Sequence, residues 1–143
     1  KKGYFCESES GKPFVAAVWP GRVHFPDFIN PDARAWFGEK YRILTDCGID
    51  GFWNDMNEPA IFYSEEGLEE TFTYLDSIRD TNIGIKESFG MREAIDNLSN
   101  NPKDYERFYH KFNGDRIVHR KLHNLYGYMM TRAASEGLSA IQK

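Results

Sequence analysis

The chain has 143 residues, of which 41% are hydrophobic and 28% are charged, and its formal net charge is −4. This composition excludes general disorder, offers no basic footprint for a nucleic-acid partner, and contains no apolar run of the roughly 18 residues that a membrane span needs. The two cysteines, Cys6 and Cys47, are too few for a disulfide framework, so we expect free thiols and a cytoplasmic location.

The first predicted element is a buried strand within residues 12–19. The sequence KPFVAAVW carries little charge and ends at Pro20-Gly21, a strong turn signal. Low polarity on both faces is typical of a strand that is covered on both sides, as in a parallel sheet beneath helices.

A helix is predicted over residues 31–47. Asn30 can cap it, Pro31 fits the first helical position, and Asp32 complements the positive end of the helix dipole. Gly48 predicts the end of the helix. Helical spacing predicts one apolar stripe, formed by Ala33, Trp36, Phe37, Tyr41 and Leu44.

Residues 49–53, IDGFW, are predicted to form the next strand. A strand, a helix and a second strand make a βαβ unit, whose strands are parallel. The predicted fold class is therefore α/β: part of a (β/α)8 TIM barrel, about two strands with their helices, plus a mostly helical insertion. In such a barrel the carboxyl ends of the strands surround the active site, so a side chain just after residue 53 would face a pocket.

The rest of the chain is predicted to be mostly helical. Residues 63–115 are predicted to be an inserted subdomain, because the connection is too long for an ordinary loop, and residues 91–98 suit a short helix. A helix is expected from Asn101-Pro102, with Tyr105, Phe108, Tyr109 and Phe112 on its apolar face, ending at Asn113-Gly114. A last helix is expected from Asp115 to about Glu136. The predicted organisation is thus a barrel segment in residues 1–62, the insertion, and a barrel helix in residues 116–143.

Residues 53–59, WNDMNEP, place two carboxylates and an amide beside a tryptophan. Asp55 could be an ordinary exposed loop carboxylate, as most aspartates are. Its position after a predicted strand and beside Trp53 instead favours a nucleophile that faces a sugar, because a strand end holds a carboxylate rigidly and an aromatic ring offers a flat apolar face. This interpretation depends on residues 49–53 forming a strand and on Asp55 facing the concave side.

The string WNDMNEP closely resembles the signature of the family 31 glycoside hydrolases, the α-glucosidase and α-xylosidase group. The resemblance continues in the same order through VWPGRVHFPDFINPDAR, GIDGFWNDMNEPAIF, LHNLYGYMM and EGL, and covers most of the chain outside residues 63–115. It implies a retaining, exo-acting α-glucosidase-like enzyme that hydrolyses terminal α-linked glucose without a cofactor.

The resemblance also implies roles for individual residues. Asp55 matches the catalytic nucleophile, and Trp19, Trp53 and Met56 match positions that line the sugar subsite, although packing alone could explain them. Glu58 is interpreted as support for Asp55 rather than as the general acid, because two carboxylates on one segment approach a sugar from the same side, whereas the mechanism needs opposite faces. Arg22, Phe25 and Asp27 are interpreted as shaping the matched loop.

In the family, the general acid follows later in the chain, so we expect these 143 residues to lack it and to be inactive alone. The start has neither an initiator Met nor an apolar signal core, which favours a segment of a longer protein. The expected partners are an α-glucoside oligosaccharide and the rest of the parent barrel, with self-association of the segment through unpaired strand edges.

The alternative function is a non-catalytic carbohydrate-binding or interaction module derived from such a barrel. No metal is expected, because His119 and His123 share a helical spacing but lack the glutamate of the zinc-binding HExxH pattern. Glucose or xylose specificity, the preferred linkage, the role of the insertion and the oligomeric state stay open at this point.

Overall fold

The computed structural model describes residues 2–141, which form two compact units. The first unit combines the chain up to Phe14 with His24–Pro59 and the chain from Tyr105 onward, and the second combines Val15–Val23 with Ala60–Asp104. In chain order the elements are β1 (Glu7–Ser8), β2 (Val15–Val18), β3 (Gly21–His24), α1 (Pro31–Lys40), α2 (Arg42–Thr45), β4 (Tyr63–Ser64), α3 (Glu65–Ile78), α4 (Ile85–Asp96), β5 (Phe108–Phe112), β6 (Asp115–Val118) and α5 (His123–Ile141), with 3-10 turns at Pro102–Glu106 and His119–Lys121.

The predicted helix over residues 31–47 is confirmed. Asn30 Oδ1 accepts a hydrogen bond from the backbone N–H of Asp32 at 2.9 Å, and Pro31 opens α1. The helix is interrupted at Tyr41 and continues as α2, and Gly48 ends it with a left-handed φ of 85° that suits glycine. One member of the predicted apolar stripe, Leu44, is 42% exposed.

The predicted strand at residues 49–53 is wrong: these residues have irregular backbone. A barrel strand needs hydrogen-bonding strands beside it, and none of the described strands pairs with this segment. The strand predicted in residues 12–19 is confirmed as β2, but it pairs antiparallel with β4 rather than lying in a parallel sheet. The described residues are a mixed α/β structure that contains no closed barrel.

Residues 101–118 also differ from the prediction, which placed a helix here and started the last helix at Asp115. After the first 3-10 turn the chain forms the antiparallel hairpin β5–β6, and α5 begins at His123. Asn113 and Gly114 both have positive φ, 52° and 88°, as the two central residues of a tight hairpin turn require. The Asn-Gly pair was therefore a hairpin signal rather than a helix end.

The sheet of the first unit has the order β1-β5-β6. Its buried side carries Phe108 and His110, which alternate with the more exposed Tyr109 and Lys111. Phe108 stacks on Phe14 with ring centroids 4.6 Å apart. The buried side of the sheet therefore packs against the residue that precedes β2.

The second unit contains the sheet β3-β2-β4 and the helices α3 and α4. The short helix predicted at residues 91–98 is confirmed as the second half of α4. Ser64 caps α3, because its Oγ accepts from the Gly67 N–H at 3.0 Å, and its hydroxyl donates to Asp104 Oδ1 at 2.6 Å. Residues 105–115 belong to the first unit, whereas the sequence grouped them with the insertion; the three-part division itself stays a prediction.

Helices α1 and α5 approach each other through two glycines. A Cβ on Gly38 would lie 2.8 Å from the Ala133 carbonyl oxygen and 2.8 Å from the Gly137 Cα, and a Cβ on Gly137 would overlap the backbone of Gly38. Beside this contact Arg34 donates to the carbonyl oxygens of Phe28 at 2.8 Å and Ile29 at 3.0 Å. Small residues at the crossing therefore set the distance between the two helices.

We expect Gly137→Ala to lower the free energy of unfolding by about 2 kcal/mol. Alanine favours a helix over glycine by about 1 kcal/mol, but the new Cβ meets backbone that cannot move without separating the helices, and overpacking costs about 1–3 kcal/mol or more. Urea unfolding measures the difference. Ser139→Ala, at an exposed position of α5, is the control and should change stability by less than about 0.5 kcal/mol. Equal or greater stability of Gly137→Ala would contradict the close contact.

Candidate functional site

The segment that carries Asp55 is an irregular loop between α2 and β4. Asp55 is exposed, and its Oδ1 accepts a hydrogen bond from the backbone N–H of Met56 at 2.9 Å. Met56 has a left-handed φ of 57°, a conformation that is costly for a residue with a Cβ and that is found often at functional sites. Because the expected strand is not formed, the role of Asp55 depends on the sequence motif rather than on a strand end.

The residues on either side of Asp55 are attached to the helices of the first unit. Tyr41, at the end of α1, donates its hydroxyl hydrogen to Asn54 Oδ1 at 2.5 Å. Asn57 lies against Gly127 of α5, where a Cβ would come within 3.2 Å of the Asn57 carbonyl oxygen. The loop is therefore held at both ends, although it belongs to no sheet.

The structure distributes the predicted sugar-binding residues between the two units. Trp53 and Met56 are in the first unit beside Asp55, with exposures of 88% and 39%. Trp19 is in the second unit, where it is 76% exposed and its ring centroid lies 6.2 Å from that of Phe62. Glu58 is exposed, and its support of Asp55 stays a prediction.

Trp53 also lines a groove of about 300 Å³ in the first unit. The groove runs from the end of α1 to the loop, and its walls are mostly apolar and aromatic, with Lys40 as the one cation among the lining residues Phe37, Lys40, Tyr41, Leu44, Phe52, Trp53 and Asn54. Trp53 thus lines an apolar surface and stands two residues before Asp55 in the chain.

A buried polar network lies elsewhere in the first unit, and no sequence pattern indicated it. His110 Nδ1 is 2.7 Å from Asp27 Oδ1, His110 Nε2 is 2.9 Å from His119 Nδ1, and His119 Nε2 is 3.2 Å from His123 Nδ1. Asp27, His110 and His119 have at most 1% of their surface exposed. The three histidines and Asp27 therefore join the loop before α1 to β5 and to the start of α5.

Cys6 extends the network, since its Sγ is 3.6 Å from His110 Nδ1. Thiol, carboxylate and imidazole are the atom types that bind zinc, and those of Cys6, Asp27 and His110 lie within 4.8 Å of one another. Both oxygens of Asp27 already have partners: Oδ1 accepts from the Ile29 N–H at 3.2 Å, and Oδ2 accepts from the Lys111 N–H at 2.7 Å. Hydrogen bonds thus account for the arrangement of the trio.

Burial keeps two members of this network, Cys6 and His119, neutral at pH 7. It raises the pKa of the Cys6 thiol well above its ordinary value, and the nearby charge of Asp27 raises it further. It also lowers the pKa of His119 to about 3, and the neighbouring His110 and His123 lower it in addition. A neutral His119 can donate from one ring nitrogen and accept at the other, which suits its position between His110 and His123.

The whole chain, residues 1–143, matches the family model described as the glycosyl hydrolases family 31 TIM-barrel domain. It is 33% identical over 138 residues to alpha-glucosidase 2 of Bacillus thermoamyloliquefaciens, which covers 96% of this chain and 13% of that protein. It is 33% identical over 135 residues to an alpha-glucosidase of Saccharolobus solfataricus, covering 94% of this chain and 17% of the relative. Alpha-xylosidase 1 of Arabidopsis thaliana is 53% identical over 55 residues, 38% of this chain and 6% of its own length.

The chain spans less than a fifth of the length of these curated relatives. Among residues 2–141, no helix has the length and apolar character needed to cross a bilayer.

We expect the free energy of unfolding to decrease as the pH is lowered from 6.5 to about 3, because of His119. In this range the unfolded chain binds a proton on His119 that the folded chain does not bind, so the free energy of unfolding decreases as pH falls, by at most about 1.4 kcal/mol per pH unit. Urea unfolding at several pH values should show a shallower decrease for His119→Gln than for the wild type.

His24→Gln is the matched control for the pH experiment, because His24 is exposed. It should keep the pH dependence of the wild type. The same slope in His119→Gln and the wild type would show that His119 does not cause the acid sensitivity.

Proposed function

Because this chain belongs to glycosyl hydrolase family 31, we propose that it is the nucleophile-bearing segment of the catalytic domain of a retaining, α-glucosidase-like glycoside hydrolase. The observation that carries the proposal is the motif WNDMNEP at residues 53–59, within a chain that matches the family model from end to end. The motif supplies a carboxylate, Asp55, that is exposed and therefore accessible to a sugar.

In this proposal Asp55 attacks the anomeric carbon of the terminal α-linked sugar. The glycosidic oxygen leaves with a proton from a general acid on the opposite face, and a β-glycosyl ester forms on Asp55. Water deprotonated by the same acid residue then cleaves the ester and restores the α configuration, so one carboxylate serves as nucleophile and the other first as acid and then as base. We infer that residues outside these 143 supply the second carboxylate, and that the segment alone is inactive.

The substrate is proposed to be an oligosaccharide with a terminal α-linked glucose. The names of the Bacillus and Saccharolobus relatives support glucose, whereas the Arabidopsis relative is named an alpha-xylosidase, so xylose is the competing sugar. Trp19, Trp53 and Met56 are proposed to contact the sugar. Their exposure supports this role, since aromatic faces and a thioether are suited to pack against a sugar ring.

The remainder of the parent barrel is the proposed protein partner. Large apolar side chains of the first unit are exposed, including Ile43 at 64% and Ile49 at 45%, and such side chains favour burial against another surface. The same exposure supports self-association of the isolated segment.

A cytoplasmic location is also proposed, supported by the free thiols Cys6 and Cys47.

We expect Asp55→Ala in the complete enzyme to lower kcat at least about 10³-fold without unfolding the protein, because it removes the attacking group. Asp46→Asn is the control: Asp46 is an exposed carboxylate at the end of α2, and its variant should keep wild-type kcat. Circular dichroism and the release of glucose from maltose are the measurements. Near-normal activity of Asp55→Ala would instead favour a non-catalytic carbohydrate-binding or interaction module.

A fluorinated glycosyl donor tests the identity of the nucleophile directly. It should trap the glycosyl ester, because the fluorine slows hydrolysis of the intermediate, and peptide mass spectrometry should find the label on the peptide that contains Asp55. A label on another carboxylate, Glu58 included, would overturn the assignment.

A further inference from the structure

The loop that carries Asp55 has no strand partners, so other contacts must fix its position. A nucleophile displaced by about 1 Å can lose about 10²-fold in rate, which makes the position of this loop a functional matter. Two attachments, one residue before Asp55 and two residues after it, are present in the first unit.

The first attachment is the hydrogen bond from Tyr41 to Asn54. Only 8% of Tyr41 is exposed, and its ring meets those of Phe37 and Phe52 edge-on, with centroids 5.8 Å and 4.9 Å away. The hydroxyl of this packed ring donates to Asn54 Oδ1 at 2.5 Å. Burial also raises the pKa of Tyr41, so the hydroxyl stays a donor at neutral pH.

The second attachment is the close contact of Asn57 with Gly127, a glycine that we call the seat of the loop. A Cβ at position 127 would lie 3.2 Å from the Asn57 carbonyl oxygen and 3.3 Å from its Cγ and Nδ2. These distances are tighter than ordinary contacts, so the glycine lets the loop lie directly on α5. Between the two attachments the left-handed Met56 turns the chain and donates its N–H to Asp55.

We propose that Tyr41 is a positioning residue that acts on Asp55 through Asn54, and that Gly127 is the seat that fixes the other side of the same loop. This inference rests on the proposed function, because it assumes that Asp55 is the nucleophile. In this proposal Tyr41 and Gly127 act on the loop and not on the sugar. Their role is to hold Asp55 where its oxygen can reach the anomeric carbon.

The test uses Tyr41→Phe in the complete enzyme, which removes one hydroxyl and keeps the packed ring. We expect kcat to fall about 10- to 10²-fold, while KM and the inhibition constant of the product glucose stay within about twofold, because the sugar-binding residues are unchanged. Tyr128→Phe is the matched control: Tyr128 is on α5, is 62% exposed and should keep wild-type kcat. A wild-type kcat in Tyr41→Phe would overturn the proposal.

A double-mutant cycle separates positioning from general destabilisation. Asn54→Ala should lower kcat by a similar factor, and Tyr41→Phe should have no further effect on kcat in the Asn54→Ala background, because the hydroxyl then has nothing to hold. Independent, multiplying effects of the two substitutions would show that Tyr41 does not act through Asn54. The rate of trapping by the fluorinated donor should fall with kcat in each variant, since positioning affects the attack itself.

Gly127→Ala is the second probe and does not depend on a hydrogen bond. Its methyl group should push Asn57 by a few tenths of an ångström, lower kcat and leave the binding of glucose unchanged. Unchanged kcat in a folded Gly127→Ala enzyme would overturn the role of the seat.

The single variant Asp55→Ala of the complete enzyme distinguishes the positioning from the proposed function. An inactive Asp55→Ala enzyme together with a fully active Tyr41→Phe enzyme contradicts only the positioning. An active Asp55→Ala enzyme contradicts the proposed function.

Discussion

A buried carboxylate is the constraint on which the first unit depends. Asp27 is 1% exposed, and it bonds to the imidazole of His110 and to the backbone of Lys111 on β5. Removing one partner from such a pair leaves a buried charge without compensation, which costs more than the pair contributes when intact. The network therefore specifies one arrangement of the loop before α1, the sheet and the start of α5.

Helices α1 and α5 connect this network to the loop that carries the proposed nucleophile. With the start of α5 fixed by His123 and the loop before α1 fixed by Asp27, the Gly38–Gly137 contact sets how closely the helices approach. The loop that carries Asp55 is then attached to both helices, to α1 through Tyr41 and to α5 through Gly127. An irregular segment can in this way be held without a sheet, because its anchors are side chains on packed helices.

The structure combines an exposed carboxylate with a buried anchor, which is what the proposed chemistry needs. A glycosidase nucleophile must be reached by a sugar, so it has to be exposed, and yet it has to be held in place. Asp55 is exposed, whereas the residue that anchors its neighbour, Tyr41, is 8% exposed. Trp53 shows a similar division: it is 88% exposed, and it lines a groove with the buried Tyr41 and the half-buried Phe37 and Phe52.

The sequence by itself determined the family, through WNDMNEP, and the elements whose signals are local: the Asn30-Pro31 start of α1, the Gly48 end of α2, the strand β2 and the second half of α4. The prediction was wrong at residues 49–53, because strand-like composition does not supply the neighbouring strand that a sheet needs, and at residues 108–118, because the spacing of Phe108 and Phe112 also suits a helix. Only the tertiary structure decided that His110, His119 and Asp27 meet in the interior and that Tyr41 reaches Asn54. The physical reason is that capping and turn conformations depend on neighbouring residues, whereas pairing, burial and side-chain hydrogen bonds depend on which distant segments come together.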